Sequence, residues 1–232
     1  MRRLILVRHG QSVWNLENIF TGWTDVELSP NGIKEAEMAG KALLSAGIGF
    51  DAAFVSYLKR AIDTLHIMAK SAKLEWVDEF KSWRLNERHY GALQGLNKSD
   101  TARKYGEDQV RIWRRSYDVA PPMLNPDDPR SPRFEPKYSG VPDSELPLGE
   151  SLKMAIERVL PYWESDIKPR LKSGADVLVV AHGNSLRGLV KELEGISDSD
   201  IANLEIPTGR PLVFELDDKT LKPINKFYVN LD

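Results

Sequence analysis

At 232 residues, 41% of them hydrophobic, the chain has the size and apolar content of one domain with a substantial core, which excludes disorder as the default. Its 32 basic and 34 acidic residues leave a formal net charge of −2, so no global positive field selects nucleic acid or an anionic membrane, and any anion site has to be local. The absence of cysteine removes disulfides, thiolate catalysis and thiolate metal ligation together and fits a cytoplasmic enzyme, while the apolar run Leu4–Val7 is too short for a signal-peptide core or a membrane span.

The first element is a strand in which Leu4-Ile5-Leu6-Val7 runs into Arg8-His9 and breaks on Gly10. In an α/β protein the carboxyl ends of the strands open onto the crevice where ligands bind, so Arg8 and His9 are delivered to its mouth. Ser29 reads as a helix cap with Pro30 in the first turn, and Ile33, Ala36, Ala39, Leu43 and Ala46 recur near helical spacing before Gly47 and Gly49. A short strand over 51–56, a helix from Leu58 to about Ala72 and another short strand over 74–77 make a βαβ rhythm, hence a parallel or mixed sheet. Residues 78 to about 149 break that rhythm. Eight of the fourteen prolines fall between Pro121 and Pro147, and the segment reads as an insertion over the site within a single domain, 1–232.

Inside the insertion, Thr101 to about Tyr117 suits one or two short helices, and Met123, Leu124, Phe134 and Tyr138 are available to pack the irregular remainder. Ser151 to about Lys172 returns to helix, bent or interrupted by Pro161 and Pro169. The apolar run Val177–Ala181 ends in His182-Gly183-Asn184, with a helix expected from about Ser185. Leu212–Leu216 and Leu221–Tyr228 flank Asp217-Asp218-Lys219 as a hairpin or two neighbouring strands.

His9 and His182 thus stand alike at two strand ends facing one crevice. A lone strand-end histidine is more often structural than catalytic, but a pair placed alike points to function. Gly10 permits a tight backbone turn, Ser12 can donate from the following turn, and Arg8 sets a guanidinium fork beside His9. Such donors suit a phosphoryl group, with about two negative charges and three equatorial oxygens. Arg60, just past the second strand at a helix start, is a second guanidinium where the positive helix end favours an anion, although arginine in isolation is as readily a solvated surface residue. A neutral histidine nitrogen attacks phosphorus without a metal and splits one transfer into two. His9 is the nucleophile candidate, and His182 would bind the equatorial oxygens through charge-assisted bonds of roughly 1.5–3 kcal/mol each. Glu87, in Leu85-Asn86-Glu87-Arg88-His89-Tyr90-Gly91, is the candidate proton donor and acceptor, while His66 and His89 read as structural or peripheral.

Taken together, Arg8-His9-Gly10, the Glu87–Gly91 segment with Gln94-Gly95-Leu96-Asn97-Lys98, and Ala181-His182-Gly183-Asn184-Ser185 closely resemble the cofactor-dependent phosphoglycerate mutases of the histidine phosphatase superfamily. Asn15 with Phe20-Thr21-Gly22-Trp23, Leu58-Lys59-Arg60-Ala61, Arg114-Arg115-Ser116-Tyr117 with Pro121-Pro122, Leu148–Leu152 and Ile206-Pro207-Thr208-Gly209 extend the match over nearly the whole chain. The first motif alone marks only the superfamily, which includes many phosphatases; the Glu87 and Arg114 segments favour a mutase. The resemblance implies a three-layer α/β/α fold with a mostly parallel central sheet and a helical or irregular insertion over the active site. It also implies interconversion of 3-phosphoglycerate and 2-phosphoglycerate, in glycolysis and gluconeogenesis, through a phosphohistidine at His9. Priming by 2,3-bisphosphoglycerate, proton transfer by Glu87, no metal and a homodimer or homotetramer follow from the same likeness. By this carry-over Arg8, Ser12, Asn15, Arg60, His182 and Asn184 surround the transferred phosphoryl group, and Thr21, Gly22, Tyr90, Lys98, Arg114, Arg115 and Gly183 complete substrate binding.

A phosphoglycerate carries phosphate and carboxylate at opposite ends, so it needs a second cationic cluster, which Lys98, Arg114 and Arg115 supply. The bland alternative is an exposed basic helix face, or a nucleic-acid patch with Trp113 and Tyr117 interleaved; Arg111 is read as surface. Many relatives carry a tail beyond the last strand that can close over the site, whereas this chain ends at Asp232, soon after Tyr228-Val229-Asn230. Freer entry of water then predicts phosphate release alongside isomerisation. Two rival readings are a phosphomonoesterase with the same nucleophile and a catalytically silent phosphoanion-binding module, the latter leaving His9, Glu87, His182 and both arginines unexplained.

Overall fold

Alternation along the first strand decides the layering. In β1 (Arg2–Arg8), Leu4 and Leu6 face one side of the sheet and Ile5 and Val7 the other, all completely buried. A strand apolar on both faces has to be covered on both. The computed structural model, which describes residues 1–231, shows how. Strands β2 (Ala52–Val55), β3 (Glu79–Lys81), β4 (Val177–Ala181), β5 (Leu212–Leu216) and β6 (Pro223–Tyr228) join β1 in one sheet of order β3-β2-β4-β1-β5-β6. The first four in that order run parallel, and β5 and β6 form an antiparallel edge hairpin.

After β1 comes a single turn, α1 (Val13–Leu16), and then α2 (Pro30–Ser45), capped by Ser29 whose Oγ accepts from Gly32 N at 3.1 Å. With α3 (Lys59–Ala72) it covers one face, packing Ala36, Ala39, Leu43, Leu65 and Met68 on Ile5, Val7, Val55 and Val180. The insertion contributes α4 (Lys98–Tyr105) and α5 (Glu107–Arg115), followed by irregular chain with three short 3-10 turns. The other face is covered by α6 (Leu152–Tyr162), α7 (Lys168–Lys172) and α8 (Gly183–Glu194), through Val159, Leu171, Leu186 and Leu189 on Leu4, Leu6, Phe54 and Val179. This is a three-layer α/β/α architecture with a mostly parallel sheet. Among the described residues no helix is long and apolar enough to cross a membrane.

Several boundaries differ from the sequence reading. The strand expected over 74–77 is a turn: Lys73, at φ 59°, closes α3, and Val77 N donates to Leu74 O. Leu74 and Val77 are apolar because they pack on the core from that turn, and the ladder with β2 begins only at Glu79, so the insertion starts after Lys81. Helix α8 starts at Gly183, two residues before the expected position, because His182 itself is its cap and Ser185 Oγ accepts from His182 N. In the insertion Leu124 and Tyr138 are buried, whereas Met123 and Phe134 are exposed. The helix over 151–172 is interrupted by a π-helical turn, Trp163–Ile167, between the two prolines, which lack the N–H that an α-helical ladder needs. Strand β6 begins at Pro223, since Leu221 adopts φ 55° in the hairpin turn. The expectation about a closing tail concerns chain past Leu231 and lies outside the described residues.

The topology fixes where a ligand goes. From β1 the chain passes to α2 on one face, and from the adjacent parallel β4 it passes to α8 on the other, so the crevice opens between their carboxyl ends. The β1–β4 register pairs Arg8 with Ala181, which sets His9 beside His182. The start of α2 packs directly under this turn: a Cβ on Gly32 would lie 2.0 Å from Gln11 O, and one on Gly10 would lie 2.3 Å from Gly32 O. Gly32→Ala is therefore expected to destabilise the fold by about 1–3 kcal/mol through overpacking against backbone, measured as a lower urea midpoint at unchanged slope.

Candidate active site

His9 N donates to Ala181 O at 3.0 Å, and the two imidazole rings lie 4.9 Å apart, both buried. His9 Nδ1 faces Gly10 O at 2.7 Å, a carbonyl that can only accept, so the proton of the neutral ring sits on Nδ1 and Nε2 keeps its lone pair. Arg60 Nε points at that lone pair from 3.3 Å. Burial above all, then the charges of Arg60 and Arg8, hold His9 well below the usual histidine range. The imidazole is thus neutral at pH 7, with Nε2 unprotonated and facing Arg60.

Arg60 is itself buried, with Nη1 donating to Thr24 O at 3.0 Å and Nη2 to Gly22 O at 2.8 Å. Burial pushes it down to about 10, which leaves it charged at neutral pH. Gly22 can present its carbonyl only as glycine: its φ is +52°, and a Cβ would lie 2.1 Å from Gln94 Oε1. That same oxygen accepts from Trp23 N at 2.9 Å and Tyr90 N at 3.2 Å, tying the Gly22 turn to the Glu87–Gly91 segment. Arg8 donates through Nη1 to Ile206 O at 2.9 Å, while its Nε is buried without a partner. His182 is fully enclosed, its Nε2 2.7 Å from Ser56 Oγ and its Nδ1 without a partner. Burial first, then Arg60 and His9, keep it neutral. Ser56 Oγ also accepts from Leu58 N at 3.2 Å, and when its own hydroxyl donates to Nε2 the proton of His182 sits on Nδ1. Arg8 Nε and, in that tautomer, His182 Nδ1 are uncommitted donors beside His9 of the kind an anion would satisfy.

Glu87 is held asymmetrically. Oε1 accepts from Arg88 N at 2.7 Å, Asn184 Nδ2 at 2.8 Å and Asn184 N at 3.2 Å, whereas Oε2 accepts from no described residue. Its main-chain oxygen accepts from Trp23 Nε1 and from Arg158 Nη2, the latter at 2.7 Å. Arg158 in turn forms a buried pair with Glu150, Nε to Oε1 at 2.6 Å and Nη2 to Oε2 at 2.9 Å, and Glu150 Oε2 also accepts from His89 N. The Glu87 segment is therefore clamped from behind by a pair on α6 and the end of the insertion. Arg158 carries no local signal that sequence reasoning could use, and Glu150 enters it only as part of the Leu148–Leu152 likeness.

These groups surround a cavity of about 530 Å³. Arg8, His9, Asn15, Thr21, Gly22, Arg60, Glu87, Tyr90, Lys98, Arg114, Arg115, Gly183 and Asn184 of the expected set line it. Two do not. His182 is fully buried and does not line the cavity, its ring packed directly behind that of His9, which does, and Ser12 is buried as the cap of α1, its Oγ accepting from Asn15 N at 3.1 Å. Arg187 and Glu205 line the cavity and were not singled out. Arg187 follows Asn184 by three residues on α8, the spacing that shares a helix face, and donates to Asn184 Oδ1 at 3.3 Å. Burial, then Arg114 and Arg8, push Lys98 down to about 8. His66 is paired with Glu79 at the surface and His89 is enclosed, and neither lines the cavity. Six lysines and arginines against two glutamates make this a cavity for a ligand with more than one anionic group.

Residues 4–131 and 125–225 match the histidine phosphatase superfamily (branch 1), and the chain belongs to that superfamily. It is 58% identical over 94% of its length to the 2,3-bisphosphoglycerate-dependent phosphoglycerate mutase of Bacteroides fragilis, covering 88% of that protein. It is 56% identical over 99% of its length to the 2,3-bisphosphoglycerate-dependent phosphoglycerate mutase 2 of Bacteroides thetaiotaomicron, covering 92% of it. The mycobacterial glucosyl-3-phosphoglycerate phosphatase complexed with VO3 shares the fold at a TM-score of 0.72 and 21% identity, over 98% of this chain and 97% of that one.

The neutral histidines carry a pH signature. In the unfolded chain each protonates below about pH 6.5. In the fold His9 and His182 are held well below that value, and His89, mainly by burial, is held at about 3. The unfolded state thus binds more protons as pH falls, so stability declines below about pH 6.5, by about 1.4 kcal/mol per pH unit for each histidine. Urea unfolding at about pH 7.5 and about pH 5.5 measures it, and equal stability at the two would contradict neutral burial.

Proposed function

We propose that the chain is a 2,3-bisphosphoglycerate-dependent phosphoglycerate mutase of the cytoplasm, interconverting 3-phosphoglycerate and 2-phosphoglycerate in glycolysis and gluconeogenesis. The observation that carries this reading is the second cationic group, Lys98, Arg114 and Arg115, on the same cavity as His9, Arg8 and Arg60. Hydrolysis of a phosphate monoester needs only one end of such a cavity; a substrate with a phosphate and a carboxylate uses both. Relatives 55–58% identical over 94% or more of the chain that carry this name support it.

His9 Nε2 attacks phosphorus, an N–P bond forming as the P–O bond breaks, and the second half reverses this toward another oxygen. Arg8, Arg60 and the Nδ1 proton of His182 meet the charge on the transferring oxygens. The oxygen that leaves phosphorus takes up a proton and the one that attacks gives one up. Glu87 Oε2 gives up the first proton and takes back the second, its partner oxygen being fixed by Asn184 and Arg88. Lys98, Arg114 and Arg115 take the carboxylate end and set which hydroxyl faces His9. Cations at both ends and the uncommitted donors on Arg8 and His182 fit 2,3-bisphosphoglycerate, which when bound supplies the phosphoryl group that primes His9.

The test is conversion of 3-phosphoglycerate to 2-phosphoglycerate in excess chelator, with and without trace 2,3-bisphosphoglycerate, following free phosphate in the same tube. Isomerisation that rises with the trace compound and survives chelation is expected; phosphate release alone would move the chain to the phosphatases. His9→Ala should abolish phosphoenzyme, Glu87→Gln should slow turnover more than binding, and Arg60→Ala should cost on the order of 10²–10³ in rate. Full isomerisation by the His9→Ala protein would reject the mechanism.

A further inference from the structure

A carboxylate inside a cavity for anions works against binding, so each one present calls for a reason. Glu87 has one, in proton transfer. Glu205, the other carboxylate on the wall, has none in the mechanism. It sits in the loop between the 3-10 turn Ile201–Asn203 and β5, next to Ile206, whose carbonyl takes Arg8. Its Oε1 accepts from Arg115 Nη2 at 2.8 Å, and the pair joins the last residue of α5 to that loop across the cavity wall. The pair is open to water, the side chains being 39% and 72% exposed, so it is weak and a ligand can break it. The bond from Arg115 holds the Glu205 carboxyl below the usual carboxylate range, and its charge persists at neutral pH.

We propose that Glu205 is a specificity-determining residue that occupies Arg115 in the empty site, in the place of a ligand carboxylate, and weakens binding most for the most highly charged occupant. The proposal rests on the mutase reading. A monophosphoglycerate carries about three negative charges near neutral pH and a bisphosphoglycerate about two more. Repulsion from one fixed carboxylate scales with the charge of the ligand, so the bisphosphorylated compound is penalised more. Glu205 thereby narrows an affinity gap that six cations would otherwise widen, and keeps the doubly phosphorylated species from holding the site against the substrate.

The experiment is a calorimetric titration of 3-phosphoglycerate and 2,3-bisphosphoglycerate into the His9→Ala protein, which cannot turn them over, with Glu205 intact, with Glu205→Gln and with Glu205→Asp. Glu205→Gln is expected to tighten the bisphosphorylated ligand about sixfold and the monophosphorylated one about threefold, with both gains shrinking at high salt. Glu205→Asp, which keeps the charge, should preserve the original ratio. Equal tightening of both ligands, no tightening, or weakening by Glu205→Gln would overturn the proposal. If these titrations follow expectation while the unaltered protein fails to isomerise, the functional reading falls and the discrimination by Glu205 stands.

Discussion

The hydrogen bond from His9 N to Ala181 O carries the β1–β4 ladder one residue past the end of β1, and the site depends on it. Parallel pairing in this register makes His9 and His182 neighbours whatever else the chain does. Because β1 and β4 feed helices on opposite faces, it also opens the crevice at that point. Arg8 and Arg60 reach this pair from β1 and α3 and Glu87 from a loop, each with its own anchor. The Gly22 turn that takes Arg60 is pinned by Gln94, the Glu87 segment by Arg158, and the Arg8 side chain by Ile206 O.

A second constraint is electrostatic. His9 has to stay neutral next to Arg60 and Arg8, and those cations have to stay charged in a buried place where no carboxylate closes on them. Carbonyl oxygens of Gly22, Thr24 and Ile206 supply the compromise: they accept hydrogen bonds and orient the guanidinium groups without cancelling their charge. A carboxylate in the same place would stabilise the empty fold and compete with the ligand. Leaving Arg8 Nε and His182 Nδ1 unpaired costs stability, and such costs are ordinary where a site is organised in advance for charge that arrives only with the ligand. Glu150 and Arg158 follow the opposite rule. They neutralise each other out of sight of the cavity and spend their remaining hydrogen-bonding capacity on the backbone around Glu87 and His89.

The sequence was most legible where one residue type has one use. An unbroken apolar run that breaks at His-Gly reads as a buried strand ending at the crevice, and both instances fall where that reading places them. Ser29-Pro30 as cap and first turn, and Pro161 and Pro169 as interruptions, are equally local. Leu74 and Val77 misled because apolar side chains packing from a turn look like those of a short strand, and nothing in a sequence distinguishes them before the ladder is known. Ser12 has the chemistry of a phosphate donor, yet its Oγ is committed to the first turn of α1. Arg187 was within reach, one helical turn from Asn184. Arg158, Glu150 and Glu205 were not, because their roles are set by contacts across 71, 61 and 90 positions of chain respectively.

The two ends of the cavity differ in what holds them, and this bears on which end decides the substrate. His9, Arg8, His182 and Arg60 hang on the carboxyl ends of sheet strands or on the helix after one, and cannot shift without disturbing the core. Lys98, Arg114 and Arg115 sit on α4 and α5, two short helices of the insertion whose buried residues are only Thr101 and Val110. Phosphoryl transfer tolerates little displacement of its reacting groups, so it belongs on the rigid end. Recognition of whatever is attached to the phosphate belongs on the end where sequence can change without cost to the sheet. Glu205 stands where the two meet, in a loop anchored to Arg8 through Ile206 and reaching Arg115 on the insertion. A single side chain there adjusts how strongly the variable end grips without altering what the fixed end does.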